Sequence, residues 1–234
     1  YTQVGYVHLA DDPDEFRIRR ARISLKGDIF KNMSYGLQMD ASKSPALLDA
    51  LVEISFSPHV RVAFGQFKVP FSSENLTSSS ALDTINRSQA VERLCPARDI
   101  GSQGRDIGLS VSGKFSGLEY AAGIFNGSGM NRKDADQKKD IAARMVLHPF
   151  GFLTAAAAFY KGMNSPNPGA LPVARNRTGW EIIFLQSSFS VKGEFIFARD
   201  DQTLRSGWYV QGGYFIAGKL QSIVRYDSYD KDKD

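Results

Sequence analysis

Hydrophobic and polar residues alternate along residues 20–29 with a period of two. Even positions carry Arg20, Arg22, Ser24, Lys26 and Asp28, whereas odd positions carry Ala21, Ile23, Leu25, Gly27 and Ile29. Because successive side chains of a β-strand point to opposite faces, this segment is predicted to be a strand with one cationic and one apolar face. Arg17 and Arg19 break the alternation, so we expect them at a β-bulge or beyond the apolar region.

The same alternation recurs along most of the chain. It is visible in MSYGLQMD (33–40), ALLDALVEISF (46–56), VRVAFGQF (60–67), DIGLSVSGK (106–114), KDIAARMVL (139–147) and VKGEFIF (191–197). In residues 46–56 the predicted apolar face contains Ala46, Leu48, Ala50, Val52, Ile54 and Phe56. Two further segments, FLTAAAAFY and GWEIIFLQ, are apolar on both faces, so the pattern does not predict their sidedness. The pattern indicates about thirteen strands, and it shows no amphipathic helix outside residues 69–103.

Short and long connections alternate between these strands. The short ones are predicted at 30–32, 57–59, 114–117, 148–151, 188–190 and 217–219. The long, polar ones are predicted at 11–15, 41–45, 69–103, 126–139, 162–178 and 199–205. This asymmetry is typical of transmembrane antiparallel up-and-down β-barrels, which have tight turns at one end and long loops at the other. The sequence therefore predicts an all-β barrel whose apolar face meets lipid and whose cationic face lines a water-filled lumen.

Composition narrows the alternatives. The chain has 234 residues, a net charge of +4, 16 Phe, 9 Tyr and 21 Gly, and it contains no uncharged apolar run of the ~18 residues that suggest a membrane-spanning helix. Its single cysteine, Cys95, excludes an internal disulfide framework. His8, His59 and His148 lack the spacing of metal ligands. His59 and His148 lie in predicted tight turns, without the Ser and Asp partners that would indicate a hydrolase. We expect no enzyme, no metal, no cofactor and no nucleic-acid partner.

Several segments, in order, resemble the phosphate-selective porin O and P family. They are FRIRRARISLKGDIF, LVEISFSPHVRVAFGQFKVPFSSENL, INRSQAVERLCPARDIG, GLEYAAGIFNGSG, KDIAARMVLHPFG, GWYVQGGYF and IVRYDSYD. GQFKVPF and GIFNG are the more specific among them, and the resemblance spans nearly the whole chain.

The resemblance implies a channel in the outer membrane of Gram-negative bacteria, a homotrimer of 16-stranded barrels surrounded by lipid and lipopolysaccharide. It also implies that the third long connection, residues 69–103, folds into the barrel and narrows it. Family members end in a strand with a terminal aromatic residue. This sequence ends in YDSYDKDKD, so we expect residues 1–234 to be a single, incomplete barrel domain that lacks about three C-terminal strands, and a processed or trimmed chain at its N-terminus.

Cationic side chains on the predicted inner face are candidates for an ion path, because they create a field that attracts anions. By strand alternation these candidates are Arg20, Arg22, Lys26, Arg61, Lys114, Arg144, Lys192 and Arg225. The family resemblance adds Lys68, Arg87, Arg93 and Arg98, at or within residues 69–103. Arginine suits phosphate because its planar guanidinium donates two parallel hydrogen bonds.

Carboxylates accompany these cations on the predicted inner face and loop. They include Asp28, Asp40, Asp49, Glu53, Glu74, Asp83, Glu92, Asp99, Asp106 and Glu194. The sequence therefore predicts passive diffusion of small anions, phosphate or polyphosphate among them, with a mild rather than strong preference. The alternatives are a general, weakly selective porin, a structural or adhesive barrel with a plugged lumen, and a soluble β-sandwich that binds a partner.

Overall fold

A computed structural model describes residues 1–8, 14–134, 138–164, 172–216 and 220–232. The first strands in these residues are β1 (Thr2–Val7), β2 (Glu15–Phe30), β3 (Met33–Asp40), β4 (Leu47–Ser57) and β5 (Val60–Lys68). Two short helices follow, α1 (Ser73–Leu76) and α2 (Gln89–Leu94). The remaining strands are β6 (Arg105–Phe115), β7 (Leu118–Phe125), β8 (Asp140–Phe150), β9 (Leu153–Asn164), β10 (Val173–Leu185), β11 (Phe189–Asp200), β12 (Thr203–Ile216) and β13 (Leu220–Asp230).

The thirteen strands form a single sheet in which spatial order follows sequence order from β1 to β13. Every neighbouring pair is antiparallel, and β1 and β13 lie at the two edges of the described sheet. Consecutive antiparallel pairing without crossovers confirms the predicted up-and-down topology.

The sheet has one apolar, exposed face and one face that the loop of residues 69–104 covers in part, which we call the outer and inner faces. Along β12, Trp208 and Val210 are exposed on the outer face, whereas Tyr209 and Gln211 are buried on the inner face. β13 continues the pattern with Val224, which is 75% exposed. Large apolar side chains exposed along the strands would be unfavourable in water, whereas a bilayer solvates them.

Tight turns join alternate strands at one end of the sheet. Residues 31–32, 58–59, 116–117, 151–152 and 186–188 form these connections. Several strands are longer than the sequence predicted: β8 continues through His148 to Phe150, so the prediction of a turn at 148–151 was wrong by about three residues. The predicted turn at 217–219 lies outside the described residues, as do parts of the long connections at 11–15, 126–139 and 162–178.

Irregular pairing explains two departures from the simple alternation. Gln3 pairs with Arg20 and Val4 with Ile18, so Arg19 is the extra residue of a β-bulge, as its broken parity predicted. A second register shift lies opposite Gln38 and Met39. Leu48 falls at that shift and is completely buried, so its predicted place on the exposed apolar face was wrong.

The longest described connection, residues 69–104, lies against the inner face and is called the internal loop here. Each of its helices begins with a serine cap: Ser72 Oγ accepts from Asn75 N, and Ser88 Oγ accepts from Val91 N. Within the described residues, no helix is long and apolar enough to cross a membrane.

The main apolar core lies between the internal loop and the inner face of β7–β12. The loop contributes Val69, Phe71, Val91, Leu94, Cys95 and Ala97, and the strands contribute Phe125, Ala142, Ala158, Tyr160, Ile196, Ala198 and Tyr209. Small wall residues make room for the loop. A Cβ atom at Gly179 would lie 2.9 Å from the Phe71 ring, and one at Gly207 would lie 2.9 Å from Ala90. The apolar inner face of the alanine-rich β9 is thus explained by contact with the loop.

Candidate pore-lining site

Four arginines converge where the internal loop meets the inner face of β2, β4 and β6. The Ser79 hydroxyl accepts hydrogen bonds from Arg22 Nη1 and Arg87 Nη1, both at 3.3 Å. The Gln103 side chain accepts from Arg22 Nη2 at 3.0 Å. The Gln103 carbonyl oxygen accepts from Arg98 Nη2 at 3.2 Å and from Arg105 Nη1 at 3.4 Å. We call Arg22, Arg87, Arg98 and Arg105 the arginine cluster.

Three members of the arginine cluster form ion pairs with carboxylates. Arg22 Nε lies 2.9 Å from Asp40 and Arg105 Nε lies 2.7 Å from Asp49. Arg98 Nη1 lies 2.8 Å from Glu92 within the loop. Each of the four guanidinium groups is buried, with between 2% and 8% of the residue exposed. Burial makes these ion pairs costly to break, because a remaining charge would lose its partner without gaining water.

Arg87 and the neighbouring Lys68 bind backbone oxygens instead of carboxylates. Arg87 donates to the carbonyl oxygens of Glu74 at 2.9 Å and Thr77 at 2.8 Å. Lys68 Nζ donates to the carbonyl oxygens of Asn75, Leu76 and Thr77 at 2.7–3.0 Å. These oxygens lie at the C-terminal end of α1, where a cation is favourable. Both side chains therefore organise the loop through its backbone oxygens, and Arg87 has no carboxylate partner.

The carboxylates of the internal loop are all engaged in ion pairs. Glu74 accepts from Arg225 on β13 at 2.9 Å, and Asp83 forms an ion pair with Lys192 on β11. Asp99 accepts from Arg175 and Arg177 on β10, both at 2.8 Å. With the Glu92–Arg98 pair, this neutralises every acidic side chain of residues 69–104.

Predicted cations on β5 and β8 lie around a cavity of about 370 Å³ near the tight-turn end. Arg144 makes a bidentate pair with Glu181, at 2.9 and 2.6 Å. Arg61 is more exposed, and its nearest carboxylate, Glu53, is 3.9 Å away. Lys114 also lines this cavity and pairs with Glu119 at 2.8 Å.

Three predicted cations remain more available to solvent. Lys26 is exposed on the inner face of β2, and among the described residues it has no carboxylate partner. Arg20 donates to the side chain of Gln3. Arg93 is exposed on α2 and lines a cavity of about 260 Å³ together with Arg175, Arg177 and Arg205.

Sequence reasoning missed Arg105, Arg175 and Arg177. Arg175 and Arg177 have the two-residue spacing of one strand face, but they were assigned to the connection 162–178, whereas β10 already begins at Val173. Arg105 lies in the glycine-rich stretch GSQGRDIG, one residue before the strand predicted at 106–114, whereas β6 already begins at Arg105. The sequence pattern did not show where β6 and β10 begin, and a side chain can be assigned to a face of the sheet only from the first residue of a strand onward.

Burial shifts the pKa values of several side chains of the internal loop. Burial lowers the pKa of Arg87 to about 10, so its guanidinium remains charged at neutral pH. Burial raises the pKa of Glu74, although its bonds to Ser88 and Arg225 act in the opposite direction. Burial also raises the pKa of the Cys95 thiol well above its usual range, which keeps the thiol protonated and poorly reactive.

Metal chemistry has no candidate in the part of the chain that the structure describes. No group of three or more His, Cys, Asp or Glu side chains in these residues is arranged to hold a metal ion.

Comparison with known sequences identifies the family. The sequence profile of the phosphate-selective porin O and P family matches residues 2–156, about two thirds of the chain. The chain belongs to the phosphate-selective porin O and P family. The match covers β1–β8, the internal loop and all four members of the arginine cluster. None of the curated proteins compared with the chain matches it significantly.

Solved porin structures share the fold of this family member. The anion-selective porin from Comamonas acidovorans superposes with a TM-score of 0.70 and 16% sequence identity, over 98% of this chain and 76% of that one. The Salmonella typhi OmpF complex with daunomycin superposes with a TM-score of 0.61 and 9% identity, over 96% of this chain and 75% of that one. At these identities the likeness concerns the fold, and it confirms the all-β porin architecture.

Proposed function

We propose that the protein is a porin in the outer membrane of a Gram-negative bacterium, through which small anions diffuse passively. The observation that carries the proposal is the excess of cations around the arginine cluster. Its four guanidinium groups are accompanied by the carboxylates Asp40, Asp49 and Glu92, which leaves one guanidinium group, that of Arg87, without a carboxylate partner.

The arginine cluster would act mainly through its field, because its guanidinium groups are buried. A low-dielectric wall focuses such a field into the adjacent aqueous space and raises the local concentration of anions. The exposed cations Lys26, Arg61 and Arg93 are then the side chains that would contact a passing ion. Several weak contacts suit conduction better than one tight site, because an ion must also leave. Phosphate and polyphosphate are the anions we favour, since arginine binds their oxygens in a bidentate geometry.

The surroundings of the channel follow from the outer face. Its exposed apolar side chains fit the acyl chains of the outer membrane, with lipopolysaccharide as the outer leaflet. We propose that the protein assembles as a homotrimer, as the family resemblance implies. The family and the fold are those of channels rather than enzymes, so we assign no catalytic residues.

A general, weakly selective porin is the second candidate, and the extent of ion pairing favours it. Arg22, Arg98, Arg144 and Arg225 each lie within 3 Å of a carboxylate, which reduces the field they contribute. The two functions differ in the sign and size of ion selectivity, which one measurement decides.

Replacement of Gln103 by Glu tests the proposed function. Glu has the same shape and still accepts from Arg22, but it adds a negative charge inside the arginine cluster. We expect the wild-type protein, inserted in planar bilayers with asymmetric KCl, to give an anion-favouring reversal potential, and Q103E to lower that preference by at least about twofold. The matched control is Q186E, which adds the same charge in an exposed turn between β10 and β11 and should leave the reversal potential unchanged.

Other outcomes would contradict the proposal. A cation-favouring wild-type potential would remove anion selectivity, whereas a potential near zero that Q103E does not change would favour the general porin. The absence of any conductance would favour a plugged, structural barrel.

A further inference from the structure

Among the carboxylates of the internal loop, Glu74 has hydrogen-bond partners both within the loop and on the strands of the wall. Its Oε1 accepts from Arg225 on β13 at 2.9 Å. Its Oε2 accepts from both the backbone N and the Oγ of Ser88, each at 2.9 Å. Ser88 is the cap of α2, so one carboxylate joins the start of this helix to the wall of the barrel.

The backbone of Glu74 adds two further connections. Its N–H donates to Glu194 Oε1 on β11 at 2.7 Å, and its carbonyl oxygen accepts from Arg87 Nε at 2.9 Å. Glu194 is in turn held by the Tyr209 hydroxyl of β12 at 2.9 Å. Glu74 therefore meets strands β11 and β13 on one side and both halves of the loop on the other, and its side chain is only 6% exposed.

We propose that Glu74 is the positioning residue that fixes the internal loop, and hence the width of the channel. The expected effect on conduction rests on the proposed function. The position of the loop can be tested independently of that function. Removing the carboxylate leaves the buried Ser88 N–H without an acceptor and takes from Arg225 its bond to Glu74. The loop should then separate from β11–β13 more often, because its carboxylate bonds to Ser88 and the wall are lost.

Cys95 provides a native reporter for this separation. It is the only cysteine in the 234 residues, and it is completely buried between the second half of the loop and the inner face. A small neutral maleimide can reach the thiol only when the loop leaves the wall. Where opening is fast relative to labelling, the labelling rate follows the population of the open state.

The experiment compares Glu74→Ala and Glu74→Gln with Glu119→Ala and Glu119→Gln. Glu119 is a matched control, because it is an inner-face carboxylate of β7 whose partners are Lys114 and His148 rather than the loop. The folded protein is purified from outer membranes, treated with N-ethylmaleimide, and the peptide carrying Cys95 is quantified by mass spectrometry. We expect labelling to be at least about tenfold faster in E74A, and faster by a smaller factor in E74Q, where one oxygen can still accept. Both Glu119 variants should label at the wild-type rate.

Single-channel recordings supply the second readout. The Glu74 variants should show larger conductance and more frequent current fluctuations than the Glu119 variants. Unchanged Cys95 labelling in both Glu74 variants would overturn the positioning role, even if the wild-type channel prefers anions. Faster labelling in a protein without anion preference would support the positioning role while refuting the proposed selectivity. If E74A fails to fold, E74Q against E119Q decides the same question.

Discussion

The inner-face cations fall into two environments that the residue type alone does not distinguish. Arg22 and Lys26 share one face of β2, four residues apart. Arg22 is buried under the internal loop and bonded to Asp40, Ser79 and Gln103, whereas Lys26 is exposed. The first is part of the folded network, and the second is exposed to solvent. We therefore expect a structural role for inner-face charges that the loop covers and a role in ion conduction for those that it leaves exposed.

Exchanging these two residues for Glu should separate the roles. Lys26→Glu replaces an exposed cation by an anion in water, so we expect a lower anion preference and normal assembly. Arg22→Glu places a second buried carboxylate beside Asp40, which should destabilise the folded protein by about 3–5 kcal/mol. For K26E, the measurement is the reversal potential. For both variants, it is the fraction of the protein that stays folded in detergent before the sample is heated. Normal assembly of R22E would show that the arginine cluster is not part of the structural network.

At the scale of elements, the internal loop and the wall are complementary in size. Large loop side chains lie where the wall has glycine or alanine, as Phe71 does over Gly179. The ion pairs of Glu74, Asp83 and Asp99 then fix the orientation of the loop on this apolar contact. The loop is therefore a packed part of the barrel interior rather than a free segment.

Gly65 is one of the glycines at which the strand pairing itself depends on a missing side chain. Its φ of +130° disfavours other residues, and a Cβ atom would lie 2.2 Å from the carbonyl oxygen of Ala50 on β4. We expect Gly65→Ala to destabilise the β4–β5 pair by more than about 1 kcal/mol and to lower the folded fraction. Gly212→Ala is the control, because nothing lies within 4 Å of the Cβ that it would add. Heat-dependent gel migration of both variants measures the difference, and equal folding of the two would contradict this account.

At the scale of the whole molecule, selectivity by a buried cluster should depend on ionic strength. Charges that act across several ångströms are screened when the Debye length falls from about 10 Å at 0.1 M salt to about 3 Å at 1 M. We therefore expect the anion preference of the wild-type channel to decrease markedly over this range at a constant concentration ratio. Reversal potentials at the two salt levels test this, and a preference that is independent of salt would indicate direct binding by exposed cations instead.

The sequence predicts the fold well because the alternation of side chains and the lengths of connections are both local properties. The thirteen strands, their order and the bulge at Arg19 all follow from these patterns. The partners of Arg22, Arg98 and Arg225 could not be predicted in this way, since each depends on how the internal loop crosses the barrel. Leu48 and Arg175 show a further limit: one bulge, or one strand that begins earlier than expected, changes the inferred environment of a residue.

The difference in length between the two sets of connections separates the molecule into parts that face different selective pressures. Turns of two or three residues, such as 116–117 and 151–152, leave little room for change without altering the register of two strands. The long connections other than the internal loop can vary with less effect on the sheet, and in an outer-membrane barrel such loops are extracellular. Relatives of this protein should therefore diverge fastest at that end of the barrel, while the arginine cluster beneath it keeps the same charges.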